Sequence, residues 1–162
     1  MTLDHFGGTT ADAALAEIVF SVGMIAGSAL LTATGGFKNR ALTVVAATAL
    51  YGVATLVAGL LGAGGFAAFL AMSFLMGLSS PFYSGPQTAL MQERVPPEFL
   101  GRVFGLYGAI MSWALPLGLA ASTLLADTVG APAWFSGAGC AMLMLAVLTW
   151  CIPSIRHIEA EG

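Results

Sequence analysis

Charge is what this 162-residue chain has least of: Asp, Glu, Lys and Arg make up 8% of it, against about 25% in an average soluble domain. Eight acidic and five basic side chains cannot cover the surface of a soluble fold of this size. Five basic residues against eight acidic ones also exclude a nucleic-acid-binding patch. Cysteine is nearly absent. Cys140 and Cys151 lie in one predicted helix, about 16 Å apart along its axis, which is too far for a disulfide. Neither has redox or zinc spacing. His5 and His157 stand isolated in the two tails and make no metal site. There is no phosphate loop, no GxGxxG and no Ser–His–acid arrangement. An intramembrane enzyme would need a catalytic pair that the residues do not offer. No catalytic residue, metal or cofactor is therefore expected.

What the chain has instead is long uncharged apolar sequence. Ile18–Phe37, Ala41–Gln92, Val103–Ala126 and Thr128–Ile155 contain no Asp, Glu, Lys or Arg, and they hold 124 of the 162 residues. About 20 such residues cross the hydrocarbon of a bilayer as a helix. The 52-residue run is too long for one crossing and divides at Gly62-Ala63-Gly64-Gly65. Five helices follow: Ala13–Thr34, Ala41–Leu61, Phe66–Met91, Phe99–Leu125 and Ala133–Ile152. A β-barrel would need short alternating segments rather than continuous runs. The expected fold is an all-α polytopic transmembrane bundle of five spans. Residues 1–12 form an external N-terminal segment, 13–152 the transmembrane region and 153–162 a cytoplasmic tail.

Lys38, Arg40, Arg94, Arg102 and Arg156 fall in the first connector, the third connector and the C-terminal tail, which five spans place on one side. The opposite side has no Lys or Arg, so the positive-inside rule makes the basic side cytoplasmic. The N-terminus is then external. Met1-Thr2-Leu3-Asp4-His5 has no basic region of the signal-peptide kind. An upstream helix outside this sequence accounts for an external start most simply, so the chain reads as the back part of a longer protein. Trp134 and Trp150, about 24 Å apart on the fifth helix, have the spacing of the two interfacial aromatic belts.

Several stretches resemble a known family. Ala16-Glu17-Ile18-Val19-Phe20-Ser21-Val22-Gly23-Met24-Ile25-Ala26-Gly27-Ser28 is similar to the eighth helix of major facilitator superfamily transporters. The run MGLSSPFYSGPQTALMQERVPPEFLGRVFGLYGAIMSWALPLG, from Met76 onward, resembles the tenth and eleventh helices of the macrolide-efflux branch, with the proline-containing loop between them. The resemblance spans the chain from about His5 and implies helices eight to twelve of a twelve-helix exporter. It implies that helices one to seven are missing, that Asp4-His5-Phe6-Gly7-Gly8 is the external loop before helix eight, and that this chain alone does not transport. The partners implied are the lipid bilayer, the missing N-terminal transporter half or a second copy, and a small lipophilic, macrolide-like substrate exported by proton or cation exchange. A non-transporting membrane accessory or assembly subunit is the alternative. Gly35-Gly36-Phe37-Lys38-Asn39-Arg40 is similar to the family's glycine- and arginine-rich loop, but lacks its Asp and the second glycine after the basic pair.

Glu17 is the only acidic residue inside a predicted span. Acidic groups in hydrocarbon often mark ion pathways, which makes Glu17 a proton- or cation-coupling candidate. Its place about one turn from the outer helix end equally allows contact with water and the positive helix N-terminus. On the third helix, Ser73, Ser80, Ser84 and Gln87 make one polar stripe with Tyr83 beside it, and Pro81 and Pro86 each remove a backbone hydrogen bond. Such a stripe lines either a substrate cavity or a helix–helix contact. Tyr107, Ser112 and Trp113 on the fourth helix join Ser80, Tyr83, Ser84 and Gln87 as substrate-cavity candidates. Trp113 is too deep for an interfacial belt and fits either ligand stacking or space-filling between helices. Pro116 predicts a kink in this helix. Gly23/Gly27 and Gly101/Gly105 are small-xxx-small spacings that let helix backbones approach, and Gly137 and Gly139 give the fifth helix a small face.

Overall fold

The computed structural model describes residues 2, 5–34 and 40–151. Lys38, the Gly35-Gly36 pair and Arg156 in the tail lie outside the described residues. Five helices follow one another: α1 (Thr10–Thr34), α2 (Arg40–Leu60), α3 (Phe66–Arg94), α4 (Pro97–Val129) and α5 (Ala131–Cys151). All five are long and apolar enough to cross a membrane, and the chain is a multi-pass membrane protein. No strand occurs among the described residues.

The helices start and stop for local reasons. α1 begins three residues before the predicted Ala13 because Thr9 and Asp12 cap it reciprocally. The Thr9 N–H and hydroxyl donate to Asp12 Oδ2 at 2.7 and 2.9 Å, and the Asp12 N–H reaches Thr9 Oγ1 at 3.4 Å. α4 opens on Pro97, whose missing N–H costs nothing in a first turn. It runs to Val129, further than the predicted Leu125, and a single residue joins it to α5. That residue is Gly130, at φ +85°, a left-handed conformation that other L-residues rarely adopt. α3 remains one helix through both Pro81 and Pro86.

Packing follows the small residues. α1 runs alongside α3 with their backbones in close approach. A Cβ on Gly23 would run into the Phe74 carbonyl oxygen, one on Gly27 into that of Leu78, and one on Gly77 into that of Phe20. α2 and α5 pack antiparallel in a steady register: Gly52 faces Leu143, Leu56 faces Gly139, and Gly59 faces Ser136. A Cβ on Gly139 would sit 2.5 Å from Leu56 N. α2 also packs on α3, so it forms the centre of the bundle. Its buried residues are all small (Ala41, Thr43, Ala47, Gly52, Ala54, Thr55, Ala58 and Gly59), which leaves room for a neighbour on each side. In a bilayer, where lipid is as apolar as leucine, close backbone approach of this kind is what holds helices together.

Before α1, the chain folds over one end of this core. His5 Nε2 lies 2.8 Å from the Leu61 carbonyl oxygen. The Phe6 ring sits 5.2 Å from Phe69 and 5.9 Å from Phe66, and Phe69 meets Phe135 of α5 at 6.3 Å. These are ordinary aromatic-pair separations. They tie the segment before α1 to the α2–α3 turn and to α5.

α4 is the exception. Its one substantial contact is with α5, and that contact is slight. No residue in the apolar stretch of α4 is buried, and Leu106, Trp113, Leu115 and Leu124 are each about two-thirds exposed or more.

Candidate functional site

The polar stripe of α3 changes from buried to exposed along its length. At 100° per residue, Ser73, Ser80, Ser84 and Gln87 fall within about 60° of one another. At one end Ser73 is buried, and its hydroxyl donates to the Phe69 carbonyl at 2.9 Å. Further on the face opens: Ser80 and Tyr83 are half-buried, and Ser84 and Gln87 are exposed. The Ser84 hydroxyl donates to the Ser80 carbonyl at 3.1 Å, and the Thr88 hydroxyl to the Ser84 carbonyl at 2.9 Å. These bonds stay within the helix, so the Ser80–Gln87 stretch presents a polar surface that no neighbouring helix has taken up. Pro81 and Pro86 leave the carbonyls of Gly77 and Phe82 without their i+4 donors, as any internal proline does.

The three α4 candidates are not brought to this surface. α3 and α4 are joined through Val95 and Pro96, yet α4 packs on α5 and not along α3. Nor do the three share a face. Tyr107 and Trp113 point about 120° apart around the helix, and Ser112 is about 100° from Trp113. Tyr107 is half-buried, whereas Ser112 and Trp113 are exposed, and the Ser112 hydroxyl bonds back to the Gly108 carbonyl at 2.8 Å. Ser80, Tyr83, Ser84 and Gln87 therefore form one group, and Tyr107, Ser112 and Trp113 a second, dispersed one.

Glu17 is exposed on α1, in a shallow hollow lined by Ala14, Ile18, Ser21, Val22 and Ile25 of the same helix. Because α1 begins at Thr10, Glu17 lies two turns inside it, about 10 Å from its start, rather than the single turn expected from sequence. The Ser21 hydroxyl donates to the Glu17 main-chain carbonyl at 2.9 Å and not to its carboxylate. Of the basic residues, Arg40 opens α2, Arg94 ends α3 and Arg102 lies in the second turn of α4, with Arg94 and Arg102 exposed.

Two features went unread in the sequence. The first is the docking of His5 and Phe6, because nothing local to a short polar start marks which distant turn it will cover. The second is a cavity of about 300 Å³ between α1, α2 and α3, whose walls include Leu30, Leu50, Leu78 and Phe82. Among the described residues no cluster of His, Cys, Asp and Glu could hold a metal ion.

Comparison with known proteins supplies the remaining finding. The family model of the Major Facilitator Superfamily matches residues 1–161. Macrolide efflux protein A of Streptococcus pyogenes is 42% identical over 161 residues, covering 99% of this chain and 40% of that protein. Macrolide efflux protein A of Enterococcus faecalis is 46% identical over 119 residues, 74% of this chain and 37% of the relative. The multidrug efflux pump Tap of Mycolicibacterium fortuitum is 28% identical over 144 residues, 88% of this chain and 34% of the pump. The chain thus spans about two-fifths of the length of such relatives or less. No solved structure matches it.

Proposed function

This chain belongs to the major facilitator superfamily, and we propose that it is the C-terminal part of a secondary exporter of amphipathic drugs of the macrolide kind. The observation that carries the proposal is likeness to macrolide efflux proteins along almost the entire chain. Transport in such an assembly works by alternating access, two helical halves rocking around a site near the membrane midplane. The open polar stretch of α3, Ser80 to Gln87 with Tyr83 beside it, supplies hydroxyl, phenol and amide groups to one wall of that site. Trp113 and Tyr107 of α4 supply aromatic surface once α4 is brought beside its partners. Glu17, an acid two turns into a span, is the proton- or cation-coupling group, since an ionisable side chain in hydrocarbon is costly to keep without such a use. The residues offer transport groups and no catalytic pair, so the chain acts as a transporter component and not as an enzyme.

The helix ends bearing Arg40, Arg94 and Arg102 lie in the cytoplasm of this assembly, at the inner cell membrane. The N-terminal segment that carries His5 and Phe6 is external. Single cysteines placed at Gly64 and at Gln92, in a chain with Cys140 and Cys151 replaced by serine, test the orientation. An impermeant maleimide added to intact cells is expected to label Gly64→Cys at least tenfold faster than Gln92→Cys, and lysis to equalise them. Equal labelling in intact cells, or the reverse order, overturns this topology.

Export is tested by accumulation of a labelled macrolide in a sensitive bacterium. The chain alone is expected to leave accumulation unchanged, because most of the cavity wall comes from elsewhere. Co-expressed with helices one to seven of the Streptococcus pyogenes relative, it is expected to lower accumulation several-fold, and a protonophore to restore it. Unchanged accumulation with those helices supplied ends the exporter reading and favours an accessory subunit. Export that survives the protonophore removes the proton coupling assigned to Glu17.

A further inference from the structure

α1 and α2 each pack extensively on α3, and any contact between the two is slight. Two helices that rest on a third and scarcely meet leave a wedge between them, and here the wedge is a cavity of about 300 Å³. α3 forms its floor through Leu78, Ser79 and Phe82. Leu30 of α1 forms one wall, and Thr43, Ala47 and Leu50 of α2 form the other. From Thr43 to Leu50 the slot follows α2 for about 10 Å. It lies on the far side of α3 from Ser80, Ser84 and Gln87: at 100° per residue, Leu78 and Phe82 point about 160° away from Ser80. The slot is therefore separate from the candidate transport surface.

Its chemistry is restrictive. Thr43 and Ser79 are the only hydroxyl-bearing residues in the lining, and both are almost wholly buried. The Ser79 hydroxyl donates to the Met76 carbonyl at 2.9 Å, and Thr43 likewise has a partner within the protein. With the Ser79 donor spent and both side chains almost wholly buried, neither presents polar surface to a guest. The slot thus selects a guest with no polar groups along its length. Its mouth opens at apolar surface, since Leu30 of α1 and Leu50 of α2 in its own lining are both exposed. The guest that satisfies both conditions, narrow and apolar and delivered sideways, is a hydrocarbon chain.

We propose that the slot between α1 and α2, floored by α3, is a binding site for one acyl chain of a membrane phospholipid. The chain fills a space that side chains of α1 and α2 do not reach, and holds the two helices at fixed separation on α3. This site does not depend on what the transporter exports.

The test reconstitutes the full chain into phosphatidylcholine vesicles containing a phosphatidylcholine whose acyl chain carries a diazirine. After photolysis, adducts are mapped by mass spectrometry. Adducts on Leu30, Leu50 and Phe82 are expected to saturate at a low mole fraction of probe, while those on Leu115 and Leu117 of α4 rise in proportion to it. Ala47→Phe, which fills the slot, is expected to lower slot adducts at least fivefold and leave α4 labelling unchanged. Ala46→Leu adds bulk at the exposed rim without entering the core, and is expected to do the same if Ala47→Phe disturbs folding. Slot labelling that rises linearly like that of α4, or that ignores both substitutions, overturns the proposal. So does displacement of the slot adducts by a macrolide that leaves α4 labelling intact, since the slot would then be a drug site.

Discussion

Gly77→Val is expected to unseat α1 from α3 and to lower the stability of the bundle by several kcal/mol. A Cβ at Gly77 runs into the Phe20 carbonyl oxygen, with Phe20 C at 2.9 Å and Met24 N at 3.0 Å. These are backbone atoms, so no flexible side chain can swing aside, and the only relief is movement of the whole helix. Overpacking that forces backbone shifts typically costs about 1–3 kcal/mol and sometimes more. Here it would also undo the approaches at Gly23 and Gly27, which occupy the same crossing. The measurement uses Ser73→Cys, a position buried at this end of α3. Its reaction with a membrane-permeant thiol reagent, with Cys140 and Cys151 replaced by serine, should quicken at least tenfold in the Gly77→Val background. Gly105→Val is the control. A Cβ there meets nothing within 4 Å, so neither reactivity nor thermal stability should change. Equal behaviour of the two variants would mean that close approach of α1 and α3 does not hold the fold.

That contrast also marks what was legible in the sequence. Gly23/Gly27 and Gly101/Gly105 are the same pattern four residues apart, and both read as packing motifs. Only the structure distinguishes them, because a small residue permits approach without naming a partner. The five helices themselves were legible, since charge-free runs of adequate length have few alternatives in a chain so poor in charge. Their ends were less so. Thr9 and Asp12 extend α1 through side-chain bonds that hydropathy does not register, and that extension changes the depth of Glu17. The α3 stripe was visible because it depends on spacing within one helix. The α1–α2–α3 slot was not, because it arises from how two helices lie on a third, a tertiary fact with no periodicity. Tyr107, Ser112 and Trp113 look like a cluster in sequence, but about 100° of turn per residue scatters them around α4.

In the proposed assembly, Trp113 is expected to lose most of its exposure to lipid, and this is the largest change anticipated on any single side chain. Trp113 is 69% exposed in the chain described here. Around it, α4 carries Leu106, Ile110, Leu115 and Leu117, all more than half exposed, and a glycine face at Gly101, Gly105 and Gly108 that meets nothing within 4 Å. In water such a helix would be driven to bury itself, but in a bilayer its apolar side chains are already solvated. What lipid cannot supply is a backbone close enough to fit against the glycines, and another helix can. The helices proposed to precede this chain are the ones expected to provide it, and helices closing around α4 cover Trp113 as well. With Trp134 and Trp150 replaced by phenylalanine, Trp113 becomes the sole tryptophan, and its quenching by brominated acyl chains reports lipid contact. Quenching should be strong for the chain alone and fall at least threefold when helices one to seven of the Streptococcus pyogenes relative are co-expressed and co-purified. Gly105→Leu, which blocks the glycine face without disturbing the packing of α1, α2, α3 and α5, should hold the quenching at its high level. If the quenching is the same with and without those helices, α4 is a lipid-facing helix in its own right, and the aromatic wall assigned to the transport site has to be sought elsewhere.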